Sequence, residues 1–178
     1  MTRIVLIYGI LAGIIVIATM QLAIAIGMEG GAAGMAVGYL GMLVALSMVF
    51  VGIRQYRDSD LGGGIRFSTA LWVGLGISLV ATILYALGWE AYLYATGYTF
   101  MPDYIAATLD ARRAAGATPA ELAALAAEMD GYARAYANPV TRLLMTMAEI
   151  APVGLLVTLI SAALLRRPGF MPSRAAES

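Results

Sequence analysis

The sequence predicts an all-α polytopic membrane protein, a four-transmembrane-helix bundle with a short two-helix extracytoplasmic insert between spans 3 and 4. Three observations predict it. Four apolar stretches, at about 4–28, 35–53, 67–96 and 140–165, are each long enough to cross a hydrocarbon core of about 30 Å. Hydrophobic residues make up 61% of the 178-residue chain, above the roughly 45–50% of soluble domains. Between the stretches lie only short loops and one insert, 97–139, too little for a separate soluble core. Residues 1–178 are therefore expected to form a single membrane domain.

Composition also excludes chemistry. The chain has no Cys, no His and no Lys, all eleven basic residues being Arg. Thiolate nucleophiles, imidazole bases, Schiff-base amines and the commonest zinc, haem and iron–sulfur ligand sets are thereby removed, and no cofactor or metal is expected. The formal charge is zero and the longest basic run is Arg166-Arg167, so nucleic acid has no electrostatic footing.

The first span follows Arg3 and contains Ala23-Ile24-Ala25, which imitates a signal-peptide cleavage site. Its apolar run continues well beyond the 7 to 15 residues of a signal core, so it reads as an uncleaved span. Gly9 and Gly13 form a GxxxG pair on it, suited to close helix packing. The first loop, Glu29-Gly30-Gly31, carries no base. The second span leads into Arg54–Arg66, which mixes both charge signs and ends in Gly62, Gly63 and Gly64. These glycines lack the Lys-Ser/Thr and the preceding strand of a phosphate loop, and read as a flexible joint.

In the third span Phe67 and Trp72 mark one end and Trp89, Tyr92, Tyr94 and Tyr98 the other, as aromatic belts do. Gly74, Ser78, Thr82 and Ala86 recur every fourth residue, a second small-residue seam. The insert reads as two helices. The first is expected near Asp103–Ala115, with Asp103 at its start and Arg112 and Arg113 near its end, both suited to the helix dipole. The second starts at Thr118 as N-cap, with Pro119 at the first helical position and Glu121 completing a capping box. Leu122, Leu125, Met129, Tyr132 and Tyr136 then form one stripe, expected to lie on the membrane interface or on the rest of the chain.

Arg3, then Arg54, Arg57 and Arg66, then Arg166, Arg167 and Arg174 fall on one side of this topology. The positive-inside rule makes that side cytoplasmic, with both termini inside and the insert outside.

Ionisable residues inside spans are costly and mark sites by default. Counting 1.5 Å per residue from Phe67 and Leu165 places Glu90 and Arg142 level, each about 34 Å along its span. They are expected to form a structural ion pair. Glu149 lies at about 24 Å, with Gln21, Tyr39, Thr82 and Tyr85 within roughly 5 Å of that height. A polar layer shared by all four spans follows, serving either to fasten the bundle or to hold a proton, ion or small ligand. Pro152 frees the carbonyl of Ala148 beside the acid.

Three segments carry a family resemblance: Tyr8-Gly-Ile-Leu-Ala-Gly-Ile14, Gly64-Ile-Arg-Phe-Ser-Thr-Ala-Leu71, and Glu149-Ile-Ala-Pro-Val-Gly154 with the run to Ala162. The chain resembles the DUF4199 family of bacterial membrane proteins over nearly its whole length. The resemblance implies four spans and a bacterial cytoplasmic membrane; it implies no activity, so no functional residues are carried over. The lack of Lys departs from Lys-rich relatives. The expected role is non-enzymatic, binding a partner or supporting the envelope, with the lipid bilayer and a homo-oligomer or another membrane protein as partners. The alternatives are a small oligomeric transporter or channel using Glu149, Gln21 and Pro152, and, more weakly, a membrane enzyme limited to carboxylates and tyrosines.

Overall fold

The structure, a computed structural model, describes every residue except 28–30, 168 and 173–178, and the backbone alone of 31 and 32. Glu29, Gly30 and Arg174, used above to read the topology, lie outside the described residues. Six helices follow in order: α1 (Thr2–Ala25), α2 (Gly31–Asp60), α3 (Phe67–Ala95), α4 (Phe100–Ala114), α5 (Pro119–Ala137) and α6 (Pro139–Leu165). No strand occurs among the described residues. Four helices, α1, α2, α3 and α6, are long and apolar enough to cross a membrane.

Helix α1 ends at Ala25 and α2 already begins at Gly31, and two further boundaries differ from the sequence reading with consequences for packing. The helix of the second span continues past Ile53 to Asp60, leaving a shorter connection. Its extra turns are held by Arg54 and Asp58, four residues apart and 3.5 Å from each other, and by Arg57 on Asp58 at 2.6 Å. The i,i+4 pair of Arg54 and Asp58 supports a helix beyond the apolar run. Gly62 and Gly63 then take positive φ, and the Gly63 N–H donates to the Arg57 carbonyl at 2.9 Å, so the glycines cap the helix. Helix α4 begins at Phe100 and not near Asp103, with Pro102 in the first turn, where its missing N–H has no helical partner to lose.

The chain divides into two compact units, Met1–Leu87 with Met147–Ser178, and Gly88–Thr146. In the first unit α3 is the most buried of the four long helices. Helix α1 runs parallel to it: a Cβ on Gly9 would lie 2.5 Å from Val80 Cβ, and one on Gly13 2.7 Å from Leu84 Cβ. Helix α6 runs antiparallel to it, with Gly74 facing Thr158 and Gly154 facing Ser78 at 2.6 and 3.1 Å by the same measure. Helix α2 meets α1 where Gly41 faces Thr19 and Gly52 faces Tyr8, and meets α3 where Gly52 faces Ile77. Leu46, Val49, Ile53, Ile77, Ala81 and Ile150 fill the space between them. These directions bring Arg3, Arg54, Arg66, Arg166 and Arg167 to one end of the unit.

The glycine contacts also fix relative heights. Because Gly9 meets Val80 and Gly76 meets Val5, the start of α1 is level with about Val73, some six residues or roughly 9 Å beyond Phe67.

In the second unit α4 packs on α5. The stripe of α5 is half-buried at Leu122, Leu125, Met129 and Tyr136, while Tyr132 is exposed. The capping box is complete: Thr118 Oγ1 accepts from the Glu121 N–H at 3.3 Å, and Glu121 Oε2 accepts from the Thr118 N–H at 2.7 Å. Helix α3 ends in a Schellman motif, the Tyr98 N–H donating to the Leu93 carbonyl at 2.8 Å across Gly97 with φ +66°.

Two outcomes are expected. Gly13→Ile drives a branched side chain into Leu84 and lowers bundle stability by about 1–3 kcal/mol, read from unfolding in micelles, with Ile14→Val as a near-neutral control. The Thr118 N–H and hydroxyl hold the Glu121 carboxyl below the usual carboxylate range. Because the folded value is depressed, the cap is present above the unfolded value and is lost as pH falls through the folded one. Hydrogen exchange at the start of α5 should accelerate over that acidic window in the wild type, with no such step in Glu121→Gln.

Candidate functional site

The polar residues of the first unit separate into an inner and an outer set. Inside, Ser78 Oγ and Thr158 Oγ1 lie 3.2 Å apart, and Ser78 Oγ lies 3.4 Å from the Gly154 carbonyl it donates to. These bonds join α3 to α6 across the small-residue seam, where Thr158 is fully buried. Thr82, one turn further along α3, is buried as well. Tyr85 follows, and its hydroxyl donates to Glu149 Oε2 at 3.3 Å.

Glu149 itself is exposed on α6. Its carboxylate meets the bundle through Tyr85. Pro152 stands inside α6, also exposed, and the carbonyl of Ala148 that it deprives of a helical donor is on an exposed residue too. The outer face of α6 thus carries an acid beside a proline that removes one helical donor.

Gln21 and Tyr39 do not join this group. Both are exposed, Tyr39 at 52%. Glu149 is level with Tyr85 and Leu84, and therefore with Gly13 of α1. Gln21 is eight residues beyond Gly13, about 12 Å along the helix, and the Gly41–Thr19 contact puts Tyr39 level with Gln21. The count from chain ends missed this because α1 does not start at the height of α3. The structure brings Thr82, Tyr85, Glu149 and Pro152 together and leaves Gln21 and Tyr39 apart.

The second unit contains the ion pair. Arg142 Nε donates to Glu90 Oε1 at 2.6 Å and Nη2 to Glu90 Oε2 at 2.8 Å, a bidentate clasp, while Nη1 donates to the Tyr136 carbonyl at 3.0 Å. Arg142 is 5% exposed. Its guanidinium lies 5.0 Å from the Tyr98 ring centre and 5.6 Å from that of Tyr136, within cation–π range. Tyr98 holds φ +60°, a left-handed conformation that costs a bulky residue about 1–2 kcal/mol and that its place over the cation offsets. Trp89 Nε1 donates to the Tyr136 hydroxyl at 2.6 Å and the indole packs on Tyr92 and Phe100. All three guanidinium nitrogens are engaged, so this cluster binds the ends of α3 and α6 to the α5 terminus. An open cleft of about 550 Å³ at the α4–α5 corner is lined by Arg112, Glu121, Leu122, Leu125 and Glu128, and Glu121 there is committed to the cap.

One residue with a defined task was invisible as such in the sequence. Arg57, 1% exposed, donates from Nε to Asp58 at 2.6 Å, from Nη1 to the Phe170 carbonyl at 2.9 Å and from Nη2 to the Met171 carbonyl at 2.6 Å. It fastens the segment after α6 to the end of α2, aided by the edge contact of Phe170 with Phe50. In the sequence it was one of several bases in an apparent loop. The extension of α2 by two turns is what brings it under the chain terminus. Among the described residues no cluster of His, Cys, Asp and Glu is able to hold a metal ion.

A family model described as a protein of unknown function (DUF4199) matches residues 7–167. The chain belongs to the DUF4199 family. The match covers all four long helices of this DUF4199 protein and the α4–α5 hairpin between the last two. No curated protein and no solved structure matches it.

Removing one member of a buried clasp strands the other. Arg142→Gln is expected to destabilise the protein by about 3 kcal/mol, at the low end for buried pairs because Glu90 remains partly exposed. The double variant with Glu90→Gln should lose less than the sum of the two single changes, a coupling measured by a thermal-unfolding cycle in micelles.

Proposed function

We propose that this DUF4199 protein is a multi-pass component of the bacterial cytoplasmic membrane that acts by docking another membrane-embedded protein surface on α6, without catalysing a reaction. The observation that carries this reading is the exposed position of Glu149. Acids within spans almost always face a bundle interior, a water-filled cavity or a partner group. Here the interior between α1, α2, α3 and α6 is filled by side chains such as Leu46, Val49, Ile77 and Ile150, all fully buried, while the acid is turned outward. A surface that completes its coordination is the economical reason for keeping it there.

The cluster of Arg3, Arg54, Arg66, Arg166 and Arg167 at one end of the first unit supports an orientation with that end in the cytoplasm. It also suits the anionic inner leaflet as a lipid partner. The absence of Cys, His and Lys from the sequence weighs against an enzyme. Transport remains a second reading, favoured by Pro152 and the freed Ala148 carbonyl beside the acid. It would need an assembly in which the α6 face borders water.

A photo-crosslinking residue at Leu156 on the exposed face of α6, with Ile14 on exposed α1 as reference, tests the docking reading in native membranes. A protein adduct is expected from Leu156 and lipid adducts alone from Ile14. Lipid adducts alone from Leu156 would contradict it.

A further inference from the structure

Charge is compensated differently in the two units. Among the described residues of the second unit, Arg113, Arg134 and Arg142 are each held by an acid: Asp110, Asp130 and Glu90 respectively. In the first unit Arg54 and Arg57 share Asp58, and among the described residues no ion pair holds Arg3, Arg66, Arg166 or Arg167. Four guanidinium groups there lack an internal counter-charge.

Two of the four stand level on adjoining helices. Helices α3 and α6 are antiparallel, with Gly74 against Thr158 and Gly154 against Ser78. Counting eight residues from Gly74 and from Thr158 towards their common end gives Arg66 and Arg166, each about 12 Å beyond that contact. Packed helix axes lie about 8–10 Å apart, a span that two arginine side chains bridge together. Both backbones are fixed: the Arg66 carbonyl accepts from the Ala70 N–H at 3.0 Å, the Arg166 N–H donates to the Ala162 carbonyl at 3.2 Å, and their neighbours Ile65 and Leu165 are buried. Both arginines are exposed. The Arg166 guanidinium lies 5.8 Å from the centre of the Phe67 ring, where cation–π attraction orients it. Arg3 stands apart, because the Gly76–Val5 contact puts it level with Gly74, about 12 Å along α3 from Arg66.

This corner has the chemistry of a phosphodiester receptor. A phosphodiester spreads one negative charge over two oxygens, and a guanidinium presents a planar fork of donors that matches them and stays charged at any physiological pH. Two level forks take one phosphate from two sides. The corner lies where the apolar spans end, and Trp72, 67% exposed, stands about 8 Å along α3 from Phe67, as an interfacial aromatic does. Lipid headgroups are the phosphates concentrated at that depth. The uncompensated charge of Arg167, next to Arg166, favours a headgroup of net negative charge over a zwitterion, whose ammonium it repels.

We propose that Arg66 and Arg166, the latter ordered by Phe67, clasp the phosphate of an anionic phospholipid such as phosphatidylglycerol at the common end of α3 and α6. The clasp is independent of docking on α6, and it gives the lipid contact of the reading above one defined seat.

Native mass spectrometry of the whole chain in micelles, offered phosphatidylglycerol and phosphatidylcholine of identical acyl chains in equal amounts, reads the ratio of the two adducts. The wild type is expected to favour phosphatidylglycerol. Arg66→Gln and Arg166→Gln should each cut that preference about fivefold, the worth of one arginine at an anionic surface, whereas Arg3→Gln should leave it within about twofold, being a screened distance away. Arg166→Lys, which keeps the charge and loses the fork, should fall between wild type and Arg166→Gln. Unchanged thermal unfolding in micelles shows that each variant is folded. No preference in the wild type, or equal losses from Arg3→Gln and the two clasp variants, would overturn the clasp, the second result leaving only diffuse attraction. Displacement of phosphatidylglycerol by excess inorganic phosphate would overturn the lipid as its occupant. Micelles contain neither leaflets nor a partner protein, so each of these failures is distinct from a failure of the orientation or of the α6 docking.

Discussion

Close approach of backbones around α3 is the constraint from which the rest of the first unit follows. In lipid there is no hydrophobic reward for bringing two apolar helices together, so association depends on packing and on hydrogen bonds between helices. Glycines at 9, 13, 74 and 154 provide the first, each lying against a side chain of a neighbouring helix at a distance that a Cβ would violate or crowd. Ser78 and Thr158 provide the second. Fixing α1 and α6 on α3 in this way sets the heights of everything they carry, and so decides which polar residues meet.

The same constraint separates fastening from function. Ser78 and Thr158 bond to each other across the seam, and the Arg142–Glu90 clasp and the Arg57 clamp are made within the chain. Their hydrogen bonds offset much of the cost of burying such groups, whereas leaving one unpaired costs the whole desolvation penalty. Glu149 differs from all of them. It accepts one bond, from Tyr85, and is exposed on the side of α6 away from the bundle. It marks the place where the molecule looks outward.

Much of this was legible in the sequence, and for identifiable reasons. Apolar length and small-residue spacing report directly on spans and seams, so the four long helices and the close-packing positions Gly9, Gly13 and Gly74 could be read from residue order alone, though not which helix each one meets. The capping box at Thr118 to Glu121 is a local pattern and was equally readable. Glu90 and Arg142 were readable because a count along α3 from Phe67 and along α6 from Leu165 brings them level, and they meet in the clasp. Gln21 was misplaced because α1 begins about six residues higher than α3, an offset set by the Gly9–Val80 contact and by no feature of α1 itself. Helix rotation was hidden too: Glu149 is exposed because the Gly154–Ser78 seam turns the opposite side of α6 to the bundle, and apolar residues lie on both sides of that helix. Arg57 was missed because its partners are backbone carbonyls more than a hundred residues away.

The central claim is that the space between the four long helices is closed and dry, so that polar demand is met at the surface of α6. Cysteines substituted singly at Ala12, Ala45, Ala81 and Ala162, each at most 1% exposed, and probed in native membranes with a membrane-impermeant, water-dependent thiol reagent on both sides, test it most directly. The account predicts that all four remain unlabelled while a cysteine at the exposed end residue Arg3 reacts fully. Labelling at two or more of the interior positions would reveal a water path through the bundle and contradict it.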